Sequence, residues 1–181
     1  MTPTLVYVMG PSGAGKDTLI ERALALSPFA CVARRYVTRK AKSKLDCPLS
    51  LEEFSAIRQR GSFLFNWDSH GFSYGIKRED EENTPPGKVL IINGSREYLQ
   101  KALEIRSCLV PILVEARLEI LKERLIKRGR ELPEQIEKRL ARAEEKLAVP
   151  RGICINILDN SGDLKESANK FCQILKNIID S

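Results

Sequence analysis

Residues 4–17 read Thr-Leu-Val-Tyr-Val-Met-Gly-Pro-Ser-Gly-Ala-Gly-Lys-Asp. The first six form a short apolar run bounded by Pro3 and Gly10, and such a run predicts a buried parallel strand. From Lys16 to Leu26 apolar residues recur at helical spacing, which predicts a helix. A buried strand, a glycine-rich turn and a helix in that order indicate an α/β fold.

The turn from Gly10 to Asp17 fits the spacing G-x-x-x-x-G-K of a P-loop. Its backbone N–H groups face inward and, with the positive end of the following helix, cradle a polyphosphate. Lys16 would reach the β- and γ-phosphates of ATP and carry charge during transfer. A strand before the turn and a helix after it favour this interpretation over a plain glycine turn. The predicted ATP-binding residues here are Gly10, Pro11, Ser12, Gly13, Ala14, Gly15, Lys16, Asp17 and Thr18.

Asp17 stands where a P-loop usually carries the Ser or Thr whose hydroxyl ligates Mg²⁺. A carboxylate beside phosphates repels them unless a cation lies between. Asp17 is therefore either part of the metal shell or a helix N-terminal charge that turns away. The metal ligand at this loop is predicted to be Asp17 or Thr18.

The remainder of the chain alternates apolar runs with helical periodicity, which predicts a three-layer α/β domain with a parallel sheet covered on both faces. Ser50 is the predicted N-cap of one helix and Gly61 its end. The stretch 79–87, acidic and then proline-rich, predicts a loop or short turn. Further strands are predicted at 29–37, 62–67, 71–76, 88–92, 108–114 and 153–158, and further helices at 51–60, 96–105, 118–128, 133–148 and 164–179.

Length and composition suit one domain over residues 1–181, with 43% apolar and 30% charged residues. We predict a core from 1–35 and 88–181 and a substrate-binding insertion at 36–87 that breaks the strand–helix rhythm. No window is apolar enough for a transmembrane helix, and the first residues do not resemble a signal peptide. The five cysteines include no close pair, so a cytoplasmic location without a cysteine metal site is expected.

The net charge of +6 is unevenly distributed. Residues 34–44 hold six basic residues and no acidic one, which indicates a site for an anion. Residues 115–151 hold eleven basic and eight acidic residues. This mixture predicts a charged helical face that carries a few functional arginines. Few aromatic residues lie among these charges, so nucleic acid is not an expected partner. The sequence predicts a monomer or a homodimer without choosing between them.

Several motifs are spread over nearly the whole chain. They are the P-loop Gly10 to Lys16, Thr38-Arg39, the stretch from Phe63 to Gly75, Arg124-Leu125 with Arg128-Gly129, and Ile136 with Arg139-Leu140 and Ala143. These motifs resemble those of the guanylate kinase family. The resemblance implies a guanylate-kinase-like fold with a helical lid at about 124–142, and ATP with Mg²⁺ as cofactors.

The sequence departs from that family where guanine would be read. The base-reading Glu of the family is Phe65 here, and the Thr or Ser after Tyr74-Gly75 is Ile76. Neither side chain accepts a hydrogen bond from guanine, and each unpaired polar group in a closed pocket costs ~1–3 kcal/mol. The acceptor is therefore expected to be anionic and without a base.

Four motifs point to one branch of this superfamily. They are Gly10 to Asp17, Arg35 to Arg39, Asn93 to Arg96, and Arg128-Gly129-Arg130-Glu131. All four resemble motifs of the ribose 1,5-bisphosphate phosphokinases. The resemblance implies transfer of the ATP γ-phosphoryl group to the 1-phosphate of ribose 1,5-bisphosphate, giving 5-phosphoribosyl 1-diphosphate. It also implies a place in phosphonate breakdown, with a product that feeds nucleotide and NAD synthesis. The alternatives are a guanylate kinase and a non-catalytic module.

The resemblance also implies roles for single residues. Arginine binds phosphate bidentately and keeps its proton, which suits a closing lid. Arg124, Arg130 and Arg142 are candidates for that lid, and the alternative for them is a solvated helix face. His70 is expected to be a surface or hydrogen-bonding residue, or a substrate contact. Asn160 to Gly162 is expected to border the adenine. Assigned roles are catalytic for Lys16, Arg128 and Arg139, ATP-binding for Arg124, and substrate-binding for Arg35, Thr38, Arg39, Tyr74, Asn93, Ser95 and Arg96.

Overall fold

A computed structural model describes residues 2–129, 132–145, 147 and 149–180, and its main feature is a five-stranded parallel sheet. The strand order is β2-β7-β1-β8-β9. These strands are β1 (Thr4–Met9), β2 (Ala30–Val32), β7 (Val89–Asn93), β8 (Val110–Glu115) and β9 (Asn156–Asp159). The chain as described thus confirms the predicted α/β fold with a parallel core sheet.

Strand β1 lies at the centre of this sheet and pairs with β7 on one side and β8 on the other. Val6 is level with Ile91 of β7 and with Val110 of β8. Because all these strands are parallel, the loops after them leave the same edge of the sheet, where ligands of α/β proteins bind. The P-loop and the Asn93–Arg96 loop meet at this edge.

Helices flank this sheet and a second one. They are α1 (Lys16–Leu26), α2 (Leu51–Gln59), α3 (Arg78–Glu82), α4 (Leu99–Ile105), α5 (Leu118–Arg128), α6 (Pro133–Glu144) and α7 (Leu164–Asp180). Helices α2 and α3 pack on the second sheet. Successive side chains of β1 point to opposite faces of the core sheet and so belong to two separate parts of the core. Val6 and Val8 pack towards Leu19 and Phe171, which belong to α1 and α7. Tyr7 and its same-face neighbours pack towards α4 and the second sheet.

The second sheet is four-stranded and has the order β4-β3-β6-β5. Strands β5 and β6 form an antiparallel hairpin whose turn carries His70 and Gly71, both with positive φ. The buried faces of β5 and β6 lie against the core sheet. The strands are β3 (Arg35–Val37), β4 (Asp46–Pro48), β5 (Phe63–Ser69) and β6 (Phe72–Lys77).

Several boundaries differ from the sequence prediction. The prediction of a single strand at 29–37 is wrong, because this segment divides into β2 and β3. The N–H of Ala33 still donates to Ile91 O, and after Ala33 the chain leaves the edge of the core sheet. The loop predicted at 79–87 begins with the short helix α3, whose acidic residues suit a helix N-terminus. Helix α6 ends at Glu144, and residues 146 and 148 of the predicted helix lie outside the described residues.

The predicted cap of α2 is confirmed. Ser50 Oγ accepts a hydrogen bond from the Glu53 N–H at 3.1 Å, and the Glu53 carboxylate accepts one from the Ser50 N–H at 2.8 Å. Within the described ranges, no helix combines the length and the apolar composition that crossing a bilayer requires.

Candidate active site

A cavity of about 570 Å³ opens at the carboxyl edge of the core sheet, between the P-loop, the second sheet and α6. Among the described residues, nine lysines and arginines and three carboxylates line it. This excess of positive charge suits ligands with several phosphates. The cationic residues are Lys16, Arg35, Arg39, Lys42, Lys44, Arg96, Arg128, Arg139 and Arg142, and the acidic ones are Asp17, Glu21 and Glu97.

The P-loop has the shape that its sequence predicts. Gly15 is the N-cap of α1 with φ 85°, a conformation that favours glycine, and a Cβ there would strike the Asn160 amide. Gly10 approaches the Val114 carbonyl so closely that a Cβ would overlap it. The loop can therefore curl with its N–H groups towards the cavity, as a polyphosphate site requires.

Lys16 lies inside this loop. Its Nζ donates to Gly10 O at 2.7 Å and to Pro11 O at 3.0 Å. Burial lowers the pKa of Lys16 to about 8. The ammonium group is thus desolvated and held by carbonyls that a phosphate group can replace, which is where the predicted catalytic role needs it.

Arg124 and Asn160 donate to backbone carbonyl groups of the P-loop and support its shape. Arg124 Nη2 donates to Asn160 O at 2.8 Å, and Arg124 Nη1 lies near Gly13 O at 3.4 Å. Asn160 Nδ2 donates to Ala14 O at 2.7 Å. Burial, with the charge of Arg128, lowers the pKa of Arg124. Both residues therefore hold the loop's shape, a function that the sequence did not indicate for Asn160.

The predicted lid arginines reach the cavity. The Arg139 guanidinium donates to Ser12 Oγ of the P-loop, and Arg128 lines the cavity at the end of α5. Helix α5 has the predicted bounds, 118–128, and Gly129 caps its end in the left-handed conformation. Arg130 and Glu131, which complete that predicted motif, lie outside the described residues.

A buried ion-pair network holds two arginines on the acceptor side. The Asp46 carboxylate, 0% exposed, accepts from Arg35 Nε at 2.9 Å and from Arg39 Nη1 at 2.8 Å. Burial on its own would raise the pKa of Asp46, but Arg35, the Lys42 N–H and Arg39 outweigh it and lower the pKa below its usual value. The sequence did not indicate Asp46, although an acid after a basic stretch was a possible signal.

Asp17 joins this network to the P-loop. Asn93 Nδ2 donates to Asp17 Oδ1, and Arg35 Nη2 lies 3.6 Å from the same oxygen. Thr18 also lines the cavity. The predicted residues Asp17, Arg35 and Asn93 are therefore brought together, and both alternatives for a metal ligand remain next to the phosphate site.

Tyr74 is placed in an aromatic stack beside Arg39. Its ring lies parallel to Trp67 at 5.6 Å, the Arg39 guanidinium lies 5.4 Å above it, and Arg39 Nε donates to its hydroxyl at 3.3 Å. Thr38 instead turns its hydroxyl to the Ser73 N–H, which donates to it at 2.8 Å. Thr38 thus fastens β3 to β6, and its predicted contact with the acceptor stays a prediction.

The Asn93–Arg96 loop rests on a tyrosine that the sequence did not indicate. Tyr7 OH donates to Ser95 O at 3.1 Å and accepts from the Ser95 N–H at 2.9 Å. Burial raises the pKa of Tyr7. Gly94 lies so close to the Tyr7 ring that a Cβ would overlap it. Because the N-cap of α4 is Tyr98, Ser95 does not cap that helix.

The positions that would read guanine are closed. Phe65 and Ile76 are both 0% exposed and belong to the core between the two sheets. The Phe65 ring meets Tyr7 and Tyr98 edge to face at 6.1 and 6.3 Å. These two side chains therefore fill space instead of facing a ligand.

His70 lies in the β5–β6 turn at the cavity surface. Arg142 Nη1 of the lid helix donates to His70 Nδ1 at 2.7 Å. Burial, followed by the charges of Arg142 and Arg139, lowers the pKa of His70, which favours the neutral ring that can accept this bond. The turn and the lid thus touch across the cavity.

Curated relatives match this chain over almost its full length. A ribose 1,5-bisphosphate phosphokinase PhnN of Burkholderia mallei is 40% identical, with 98% of this chain and 97% of the relative covered. One of Desulfomicrobium baculatum is 42% identical over 94% of this chain and 93% of the relative. The chain belongs to the ribose 1,5-bisphosphate phosphokinase family. No protein-family model matches it.

Solved structures show the fold that this ribose 1,5-bisphosphate phosphokinase family member shares. Guanylate kinase from Anaplasma phagocytophilum has a TM-score of 0.70 at 19% identity, over 99% of this chain and 88% of that one. A sugar kinase from Janibacter has a TM-score of 0.55 at 17% identity, with 98% of each chain covered. At such identities the likeness concerns the fold alone, and it confirms the predicted guanylate-kinase-like architecture.

Proposed function

We propose that this protein transfers the γ-phosphoryl group of ATP to the 1-phosphate of ribose 1,5-bisphosphate and so forms 5-phosphoribosyl 1-diphosphate. The observation that carries the proposal is an acceptor side lined by arginines and without a hydrogen-bond acceptor at the two positions that would read guanine. Phe65 and Ile76 are apolar and fully buried, whereas Arg35 and Arg39 are held at the cavity by Asp46. The names of the relatives support the same substrate.

The reaction needs positioning and charge neutralisation more than a covalent partner. An oxygen of the sugar 1-phosphate attacks the γ-phosphorus in line, the bond to the β–γ bridging oxygen breaks, and ADP leaves. The attacking phosphate is already ionised, so no side chain has to accept a proton. Lys16 neutralises charge on the β- and γ-phosphates, and Arg128 and Arg139 do so from the lid side.

On the acceptor side, Arg35 and Arg39 hold the 1-phosphate, with Tyr74 beside them. The Asp46 carboxylate accepts hydrogen bonds from one edge of each guanidinium. The remaining N–H groups of both arginines therefore keep a fixed direction. This arrangement pre-orients the site before the sugar binds, which reduces the entropy lost on binding.

The residues present fit Mg²⁺ held mainly by phosphates and water. No cluster of three or more His, Cys, Asp or Glu side chains that could hold a metal occurs in the described part of the chain. Asp17 and Thr18 line the cavity, and the buried Asn93 Oδ1 next to Asp17 has no hydrogen-bond partner. Asp17 or Thr18 would contact the ion. When bound with ATP, Mg²⁺ neutralises charge on the β- and γ-oxygens.

A guanylate kinase is the competing function, and a coupled assay of ADP release separates the two. ATP and Mg²⁺ are supplied with ribose 1,5-bisphosphate or with GMP. We expect kcat/KM for the bisphosphate to exceed that for GMP by roughly 100-fold or more, since GMP would leave polar groups unpaired. Added ADP controls for the coupling enzymes. Turnover with GMP alone would contradict the proposal.

The lowered pKa of Lys16 predicts a pH dependence. In the free enzyme Lys16 loses its proton as the pH rises through about 8, so ATP binding above that pH must restore the charge. We expect kcat/KM for ATP to fall about tenfold for each further pH unit. Calorimetry in two buffers of different ionisation enthalpy should show proton uptake on ATP binding. A rate that stays level through pH 8 and above would contradict this role of the lysine.

A further inference from the structure

The cavity contains two separate centres of positive charge. The strongest charge effects on Lys16 come from Asp17, Arg35, Arg96 and Arg128. Those on His70 come from a different set, Arg142, Arg139, Glu97 and Lys42. The first centre surrounds the P-loop, and the second lies where the lid helix α6 meets the β5–β6 turn. The first suits the phosphoryl transfer described above. Arg139 belongs to that transfer as well, through its bond to Ser12 of the P-loop, whereas Arg142 and His70 have no role in it.

We propose that Arg142 and His70 form the subsite for the second phosphate of the acceptor, the 5-phosphate of the sugar. This inference rests on the proposed function, because it takes ribose 1,5-bisphosphate as the substrate. The sugar carries two phosphates on opposite sides of its ring. One of them must lie at the P-loop to be phosphorylated, so the other needs cations elsewhere in the same cavity.

Arg96 is the positioning residue of this subsite. Its guanidinium donates to the carbonyl oxygens of Arg142 and Glu145, the latter at 3.3 Å, at the carboxyl end of α6. A cation at a helix C-terminus is favoured there by the helix dipole. Arg96 follows β7 directly and its backbone loop rests on Tyr7, so it fixes the Arg142 backbone relative to the core sheet.

His70 is held from the opposite side. It has φ 53°, and with Gly71 at φ 77° it forms the tight turn between β5 and β6. Its imidazole accepts the Arg142 hydrogen bond at 2.7 Å, which keeps the guanidinium at the cavity when no anion is bound. Both side chains line the cavity. A phosphate dianion between them can accept from the planar Arg142 fork and from an imidazole N–H.

The charges around this pair favour an anion. Arg139 and Lys42 also act on the His70 ring, and Glu97 provides a carboxylate. Cations that face each other repel, and a bound phosphate removes that repulsion. The subsite therefore selects sugars with a second phosphate.

Two half-substrates separate this subsite from the phosphoryl-transfer site. Ribose 5-phosphate lacks the 1-phosphate, and ribose 1-phosphate lacks the 5-phosphate. Binding of each to the full chain is measured by calorimetry for the wild type, Arg142→Met and His70→Asn. Asparagine tolerates positive φ, so the second variant keeps the turn. The matched control is Lys138→Met, which removes an exposed charge from the same helix.

We expect Arg142→Met to raise the dissociation constant of ribose 5-phosphate at least about tenfold, because a charged hydrogen bond is lost. The dissociation constant of ribose 1-phosphate should change less than about twofold. His70→Asn should show the same selectivity with a smaller change, and Lys138→Met should change neither. Equal losses for both sugars would mean that Arg142 only closes the lid, and would overturn the inference. So would unchanged binding of ribose 5-phosphate. A wild type that binds ribose 1-phosphate but not ribose 5-phosphate would overturn the inference as well, whereas a wild type that does not phosphorylate ribose 1,5-bisphosphate would contradict the proposed function itself.

Discussion

Replacing Lys16 by alanine should reduce kcat by roughly 10³-fold or more, the effect of removing a charge that stabilises a transferring phosphoryl group. The Lys16 ammonium is enclosed by the P-loop and donates to Gly10 O and Pro11 O. Its burial lowers its pKa to about 8, because the ammonium group is removed from water. Steady-state kinetics with ribose 1,5-bisphosphate and ATP measure the loss.

The fold should survive this change. A desolvated charge contributes little to stability, so the midpoint of thermal unfolding should be equal to or above that of the wild type. Lys176→Ala, an exposed lysine on α7, is the matched control and should keep full activity. A folded Lys16→Ala variant with wild-type turnover would contradict the assignment of the P-loop. A large fall in the midpoint of thermal unfolding would mean that the variant loses activity because it misfolds, and not because the charge is missing.

Replacing Asp46 by asparagine should lower the free energy of unfolding by about 3 kcal/mol, because breaking a buried ion pair leaves its partners uncompensated. Here two partners, Arg35 and Arg39, lose the carboxylate that holds them. The KM for the sugar should rise at least about tenfold, since both guanidinium groups lose their orientation. Urea unfolding and steady-state kinetics measure the two effects.

The acid stability of the protein gives a second readout for Asp46. Its pKa is lowered in the folded state, so its contribution to stability is present above the ordinary carboxyl pKa and is lost as the pH falls through the lowered value. Asp46→Asn should therefore lack part of the acid-dependent fall in stability that the wild type shows.

Asp68→Asn is the matched control on the same sheet. Asp68 pairs with Arg58 at 3.0 Å, but both side chains are exposed to solvent. An exposed pair of this kind contributes ~1 kcal/mol or less. If the two substitutions lowered the free energy of unfolding equally, the burial of Asp46 would not be the reason for the stabilising effect of its ion pairs.

Much of the catalytic half of the site could be predicted from local sequence. The apolar run Thr4–Met9 and the glycine spacing up to Lys16 predicted the central strand, the loop and the helix α1, and each has the predicted bounds. Ser50 was recognisable as a cap because a capping box depends on residues three apart. Such features are decided by the chain within a few residues, so their signal lies in the sequence itself.

Phe65 and Ile76 show how far sequence reasoning reaches towards the substrate. Their residue types alone exclude hydrogen bonds to guanine, because neither side chain carries an acceptor. The tertiary structure adds that both are buried between the two sheets. The split of the predicted strand 29–37 was not predictable, because either half suits a strand and only packing decides which sheet takes it.

The sequence by itself determined the α/β order, the P-loop and the chemistry of a polyphosphate site. Only the tertiary structure decided which polar groups support it: Asp46 beneath Arg35 and Arg39, Tyr7 beneath Ser95, and Asn160 beneath the P-loop. Asn160 and the carbonyl it holds are 146 residues apart, and Tyr7 and Ser95 are 88 apart. Periodicity along a chain reports which face of an element is buried. It does not report which distant buried polar group will become a partner, because that depends on how the elements pack.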